Sequence, residues 1–129
     1  MPALDGVTGL RVVADARAID DARWVAAGGS DVTLLRIAPD EVIAIDAVAV
    51  ELDDGHAIVV DERGLVAATC PIDDVRRRTE WPLTAEAEVS QGAVAGVPVK
   101  LVRLDADHVR IFTAAAYAHD LADRLGWPT

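Results

Sequence analysis

The 129-residue chain contains one cysteine, one lysine, no asparagine and only five aromatic side chains. A single cysteine can form neither an intrachain disulfide nor a cysteine-ligated zinc site. Five aromatic rings are too few for a platform on which nucleic-acid bases stack. No apolar run approaches the roughly 20 residues of a membrane-spanning helix, so we expect no membrane span.

Acidic residues outnumber basic ones by 22 to 12, and the net charge of −10 argues against binding to nucleic acid. Residues 40–62 contain eight acidic side chains and no lysine or arginine, whereas the segments on either side are nearly neutral. This pattern is typical of the solvent face and turns of a hairpin. The alternatives are an acidic docking surface for a basic partner and a divalent cation site.

Length and a hydrophobic fraction of 52% predict one folded domain over residues 1–129. Residues 1–30 are predicted to form an N-terminal extension with a short helix, and residues 31–129 the core. The N-terminus carries Asp5 and no basic cluster, so we expect no secretory signal and a cytoplasmic location. The preference for arginine over lysine indicates a bacterial genome of high GC content.

Apolar periodicity in the first half predicts a helix followed by strands. The helix spans residues 16–27, with Asp15 as its N-cap and Gly28 and Gly29 at its end. The predicted strands cover residues 32–37, 42–45, 48–52, 56–60 and 65–68, with a corner at residues 46–47. Asp53-Asp54-Gly55 predicts a hairpin between the third and fourth of these strands, and residues 61–64 a turn.

In the second half, Pro71 begins a predicted short helix that carries acids in its first turn and arginines in its last. Residues 79–96 are predicted to be a linker, and residues 97–104 and 108–113 a hairpin. A final helix over residues 114–125 is predicted to start at a Thr113 cap and to end at Gly126. Antiparallel hairpins with three helices predict an α+β fold with a split β-α-β arrangement.

The three histidines show none of the spacings of a helical zinc motif, so the sequence predicts no metal site. His119 and Asp123 are four residues apart on the last helix, and we interpret them as an exposed pair rather than as ligands. Strand-end hydrogen bonding explains His56 and His108. No G-x-S-x-G motif occurs, and no catalytic residue is predicted.

Cys70 precedes the middle helix, where a thiol can be activated by the helix dipole. Asp73 and Asp74 would oppose formation of a thiolate there, so a buried and inert cysteine is favoured. The consecutive side chains Arg76–Arg78 point about 100° apart on a helix and do not converge on one anion. Gly28-Gly29-Ser30 follows a helix, the reverse of the order in a phosphate-binding loop.

Two stretches resemble known families. Leu34-Leu35-Arg36-Ile37-Ala38-Pro39-Asp40-Glu41-Val42-Ile43-Ala44-Ile45 resembles a hairpin of aminomethyltransferase-like, folate-binding-type domains. Cys70-Pro71-Ile72-Asp73, the segment from Gln91 to Arg103 and the segment from Val109 to Leu125 are similar to the gamma subunit of heterotetrameric sarcosine oxidases. The resemblance touches residues 32–125. It implies a non-catalytic subunit, with no cofactor of its own, that packs against larger flavin- and folate-binding partners.

The sequence predicts association with a protein partner or with further copies of the same chain. Three hypotheses for the function remain at this point. The first is an accessory subunit of a bacterial metabolic complex, such as an oxidase acting on a methylated amine, because the apolar fraction exceeds what a domain of this size buries. The second is a stand-alone small-molecule binder, such as a folate-like carrier, with a cleft between hairpins. The third is a hydrolase or isomerase that uses His119 with nearby carboxylates.

Overall fold

The computed structural model describes residues 2–79 and 89–128, which form nine strands, three α-helices and one short 3₁₀ helix. The strands are β1 Asp5–Val13, β2 Arg23–Ala26, β3 Thr33–Ala38, β4 Glu41–Ile45, β5 Ala47–Glu51, β6 Ile58–Pro71, β7 Val89–Val94, β8 Val97–Arg103 and β9 His108–Ala114. The α-helices are α1 Ala16–Asp20, α2 Ile72–Arg76 and α3 Ala118–Leu125, and the 3₁₀ helix is Ala115–Tyr117.

The chain divides into two compact units. The central unit is Val7–Arg63, and the outer unit combines Met1–Gly6 with Gly64–Thr129. No helix among residues 2–79 and 89–128 is long and apolar enough to cross a membrane.

In the central unit, the strand order is β3-β4-β1, followed by the first part of β6. The ladders β3–β4 and β1–β4 are antiparallel, and residues 5–13 of the predicted N-terminal extension supply β1. Gly9 of β1 faces Ile45, and a Cβ atom at Gly9 would overlap the carbonyl oxygen of Ala44. This approach of two backbones requires glycine at position 9.

A second, two-stranded sheet of the central unit pairs β2 with β5. Trp24, opposite Val50, packs with it against a buried cluster of the sheet and α1. The buried members of this cluster are Leu10, Val12, Ala14, Ile19, Val42, Ala44 and Ala47. The corner between β4 and β5 is Asp46, which has a φ of 70° and whose N–H donates to the Thr8 carbonyl.

In the outer unit, the second part of β6 is followed by β9, β8 and β7, all antiparallel. The helices α2 and α3 pack on this sheet through Val75 and Leu121, which are fully buried. The remaining buried members of the cluster are Ala68, Cys70, Ile72, Val94, Val97, Val99, Leu101, Val109, Ile111, Ala122, Leu125 and Trp127. Gly126 ends α3 with a φ of 73°, which is the left-handed cap predicted from the sequence.

The predicted antiparallel α+β class is confirmed, since few short helices accompany mostly antiparallel strands. The split β-α-β order is not confirmed. In a split β-α-β arrangement, the helix connects two parallel strands of one sheet. Here α2 leads from β6 to β7, which is the edge strand of the outer unit, and all neighbouring strands of this unit are antiparallel. The hairpin β8–β9, the β3–β4 hairpin and the corner at residues 46–47 are confirmed.

Four local predictions are wrong, and in each case pairing elsewhere in the fold decided the outcome. The helix predicted for residues 16–27 ends at Asp20, because residues 23–26 pair with β5 as β2. Because β5 pairs with β2, it does not form the hairpin predicted at Asp53-Asp54-Gly55. The turn predicted for residues 61–64 is the interior of β6. Residues 89–94 of the predicted linker form β7, while the rest of it between residues 80 and 88 lies outside the described residues.

The two predicted N-terminal helix caps have different outcomes. Asp15 is the N-cap residue of α1, as predicted, but its side chain makes no capping hydrogen bond. The predicted Thr113 cap is wrong. Thr113 lies in β9, where its hydroxyl donates to the Pro98 carbonyl at 2.9 Å instead of capping the last helix. That helix begins as a 3₁₀ turn at Ala115 and becomes α-helical at Ala118.

Candidate functional site

A cavity of the central unit lies where β1 ends and α1 begins. It is open to solvent and has a volume of about 670 Å³. Three carboxylate side chains and one imidazole occur among its lining residues, which are Val13, Ala14, Asp15, Ala16, Pro39, Asp40, Asp54, His56 and Ile58. Asp40 and Asp54 of the acidic segment at residues 40–62 therefore line one cavity. Asp15 lines it too, although nothing in the sequence connected Asp15 with that segment.

Asp54 fastens the wall of this cavity. Its Oδ2 accepts a hydrogen bond from the backbone N–H of Asp15 at 2.8 Å, and its Oδ1 accepts one from the backbone N–H of His56 at 2.9 Å. These two bonds, the one from Asp15 first, hold the pKa of Asp54 below its ordinary value. A carboxylate that is ionised and bonded through both oxygens positions the turn and is a poor proton donor.

Arg11 of β1 neutralises another part of the acidic segment. Its Nη1 lies 2.7 Å from Glu41 Oε2, and its Nε lies 3.4 Å from Glu62 Oε2. Arg63 pairs with Asp61 at 3.3 Å in an exposed contact. The acids of residues 40–62 are thus distributed over several local contacts.

The divalent cation alternative requires at least three ligand side chains that converge on one point. Within residues 2–79 and 89–128, no group of three or more histidine, cysteine or carboxylate side chains is arranged to hold a metal ion. The acidic segment supplies charge to the surface of the central unit and gives no geometry for a cation site among these residues.

A cavity of the outer unit brings His119 next to the N-terminal segment. Its volume is about 460 Å³, and it is lined by Ala3, Leu4, Asp5, Ala118, His119, Ala122 and Pro128. His119 Nε2 lies 3.6 Å from Asp123 Oδ2, and both side chains are exposed, as the helical spacing predicts. The tertiary structure also brings Asp5 to the cavity of His119, which the sequence did not predict. Among the described residues that line this cavity there is no serine, threonine or cysteine, so they offer an imidazole beside carboxylates without a nucleophile.

The other two histidines belong to local turns. His108 Nδ1 lies 3.1 Å from Asp105 Oδ1, in the turn between β8 and β9. The same oxygen accepts the backbone N–H groups of Asp107 and His108, each at 2.8 Å. These contacts, the Asp107 N–H above all, hold the pKa of Asp105 below its ordinary value. His56 acts through its backbone N–H in the Asp54 turn.

Cys70 is buried in the outer unit with 1% of its surface exposed. Burial, with a smaller contribution from the negative charge of Asp74, raises the pKa of its thiol to about 12. The thiol is therefore protonated at neutral pH, which makes it a poor nucleophile. The structure agrees with the interpretation of Cys70 as a packed side chain.

The arginines that follow α2 do not form an anion clamp. Arg76 pairs with Asp73 at 3.7 Å, and Arg78 Nη1 donates to the carbonyl oxygen of Asp74 at 3.3 Å. These contacts engage the helix itself, as expected for arginines that point in different directions.

The fold and these sites define a small, mostly antiparallel α+β protein whose described polar groups mainly fasten turns and strands. The fold is similar to that of a chain in a solved structure, the heterotetrameric sarcosine oxidase from Corynebacterium sp. U-96 in complex with pyrrole 2-carboxylate. The alignment covers 97% of this chain and 84% of that chain, with 18% sequence identity and a TM-score of 0.65. No family model matches the chain, and no curated protein sequence matches it.

The two coverages mean that the matched chain is only somewhat longer than this one. The resemblance to a sarcosine oxidase chain that the motifs around Cys70 and residues 91–125 indicated is thus confirmed at the level of the fold. At this identity, the likeness establishes the shared fold alone.

Proposed function

We propose that the chain is a non-catalytic accessory subunit of a bacterial, cytoplasmic oxidase that acts on a methylated amine. The observation that carries this proposal is the fold match, which spans nearly the whole chain and most of a small chain in a heterotetrameric enzyme. A domain that matches a subunit over its full length is expected to share its way of assembling, while the chemistry resides in larger partners. The aminomethyltransferase-like fold type is part of the same proposal.

The polar groups of the chain support a non-catalytic role. The Cys70 thiol is buried and protonated, and Asp54 and Asp105 are engaged with backbone N–H groups. The described residues that line the cavity of His119 include carboxylates but no serine, threonine or cysteine that the imidazole could activate as a nucleophile. The proposal therefore assigns flavin and substrate to the partner subunits and no cofactor to this chain.

The small-molecule alternative fits less well. The cavity of the central unit is large enough for a ligand, but it is open and presents three carboxylates. A folate-like molecule carries carboxylates of its own, and like charges that face each other disfavour binding.

Affinity purification of the tagged chain from its native host tests the proposal. We expect larger subunits in fixed stoichiometry, a visible absorbance spectrum of flavin in the complex, and oxidation of a methylated amine. Removal of the imidazole by His119→Ala is expected to leave that oxidation unchanged, with the wild-type complex as the matched control. A chain that elutes as a free monomer, without other subunits and without flavin, would contradict the proposal.

A further inference from the structure

The first residues of β6 expose an apolar segment on both faces of the strand. Ile58, Val59 and Val60 retain 58%, 44% and 47% of their surface exposed. Because successive side chains of a strand point to opposite faces, apolar surface is exposed on both faces of this segment. A strand at the surface of a domain ordinarily carries polar residues on the side that meets water, so three consecutive exposed β-branched residues indicate a surface that another molecule covers.

The backbone of this segment is also open on one side. The antiparallel ladder between β6 and β9 begins at Leu65, which leaves Ile58–Val60 outside it among the residues that the structure describes. Strand edges that present free N–H and C=O groups pair readily with an extended segment of another chain. Side chains and backbone together thus offer a partner a continuous strip.

Negative charge surrounds this strip. Asp53 and Asp54 precede it in the chain, and Asp61 and Glu62 follow it. Ile58 also lines the cavity that contains the carboxylates of Asp15, Asp40 and Asp54. Arg11 and Arg63 lie near the strip, but Arg11 is shared between Glu41 and Glu62 and Arg63 pairs with Asp61 alone, so the acidic side chains around the strip remain in excess.

We propose that Ile58–Val60, with the acidic rim formed by Asp53, Asp54 and Asp61, is the surface through which this chain docks on a partner subunit with an apolar centre flanked by arginine or lysine. The inference rests on the proposed function and specifies the surface through which the chain binds its partner. Charge complementarity favours a basic partner, because arginine and lysine side chains are attracted by the negative charge around the strip. A second copy of the chain is a poor occupant, because the central unit alone has twelve acidic and five basic side chains.

The first experiment compares two double variants expressed as tagged full chains in the native host. Val59→Thr/Val60→Thr replaces apolar groups of the strip by isosteric polar ones while keeping strand propensity. Val25→Thr/Val48→Thr makes the same change at side chains exposed to a similar degree on β2 and β5 of the same unit. The measured quantity is the molar ratio of the largest co-purifying subunit to the tagged chain, determined by quantitative mass spectrometry.

We expect the Val59→Thr/Val60→Thr chain to retain about tenfold less partner, as loss of a central apolar contact predicts, and the control to equal wild type. Equal recovery by both double variants would overturn the inference while the proposed function stands. Recovery of no subunit by the wild-type chain would overturn both. Thermal unfolding of each isolated variant verifies that it is folded.

A second arm tests the chemistry of the partner. Asp53→Asn/Asp61→Asn is compared with Asp120→Asn/Asp123→Asn, which removes two exposed charges from α3. We expect only the first pair to lower partner recovery, and its effect to shrink as ionic strength rises to about 1 M, where charges are screened within roughly 3 Å. Identical recovery by both pairs, or light scattering that shows the wild-type chain bound only to itself, would overturn the assignment of a basic partner.

Discussion

The two compact units differ more in their surfaces than in the way they are folded. The central unit carries a net charge of −7, from twelve acidic and five basic side chains, whereas the larger outer unit carries −3. Six of the eight large hydrophobic side chains found exposed in the described parts of the chain also belong to the central unit. Both units are built from antiparallel strands with buried apolar clusters.

Negative charge and exposed apolar side chains are thus concentrated together in one part of this small protein. The outer unit covers most of its apolar side chains with two helices, while the central unit leaves a strip of β6 uncovered. We expect the outer unit to contribute mainly stability and the central unit mainly recognition. The following predictions test this division, from the largest expected effect to the smallest.

Leu121 of α3 is fully buried in the outer unit, and Val12 of β1 is fully buried in the central unit. Leu121→Ala is expected to lower the free energy of unfolding by about 2–5 kcal/mol, because it leaves a cavity under the helix, and Val12→Ala by less, since it removes fewer atoms. Urea unfolding measures both changes. Trp127 and Trp24 report on the outer and central cluster respectively, in a Trp81→Phe background.

The prediction of one domain over residues 1–129 requires the two tryptophans to report the same transition midpoint in every variant. A Leu121→Ala protein in which the signal of Trp127 shifts and that of Trp24 does not would show that the units unfold separately.

Gly9 and Gly6 lie on the same strand, β1, in different surroundings. A Cβ atom at Gly9 would overlap the Ala44 carbonyl oxygen, whereas a Cβ atom at Gly6 would have open space within 4 Å. Gly9→Ala is expected to cost about 1–3 kcal/mol of unfolding free energy, because two paired strands must separate. Gly6→Ala is the control, and a Gly9→Ala protein as stable as this control in urea would contradict the close approach of β1 and β4.

Among residues 2–79 and 89–128, each unit contains one non-glycine residue with a positive φ, Asp46 at 70° and Ala95 at 50°. Ala95 and Gly96 form the two-residue turn between β7 and β8, where asparagine followed by glycine is preferred. Ala95→Asn is expected to raise the free energy of unfolding by about 0.5–1 kcal/mol, since asparagine tolerates the left-handed region better than alanine. Ala93→Asn, in the interior of β7, should give no gain, and equal effects of both changes would contradict the turn geometry.

Asp54 in the central unit and Asp105 in the outer unit fasten turns in the same manner, and the pKa of each is lowered by backbone N–H donors. A lowered native pKa means that the stabilisation is complete above the ordinary value of 3.8 and is lost as the pH falls through the lowered values. Carboxyl carbon chemical shifts, followed by NMR from neutral to acidic pH, should place both titrations below that ordinary value. Because Asp105 is exposed and Asp54 is only partly buried, we expect the effect on stability to be the smallest of this series. Asp54→Asn and Asp105→Asn should each reduce the acid dependence of stability. Titration of either carboxyl at its ordinary pKa would contradict these contacts.

Local chemistry predicted the elements that depend on neighbouring residues. The turn at Pro39 and Asp40, the corner at Asp46, the β8–β9 hairpin and the left-handed Gly126 all occur where the sequence placed them. The candidate site was less accessible to prediction. Composition identified the acidic segment, but the contacts of Asp54 with Asp15 and of Arg11 with Glu41 join residues 39 and 30 positions apart.

The sequence by itself determined the composition of the surface, the antiparallel α+β class and the burial of Cys70, because these follow from residue type and short-range periodicity. Only the tertiary structure decided that residues 23–26 form a strand instead of a helix, that β6 is one continuous strand, and that Ile58–Val60 stay exposed. Those outcomes depend on which distant strand supplies hydrogen-bond partners. The free energy of such pairing exceeds local helix propensity, which amounts to less than about 1 kcal/mol per residue.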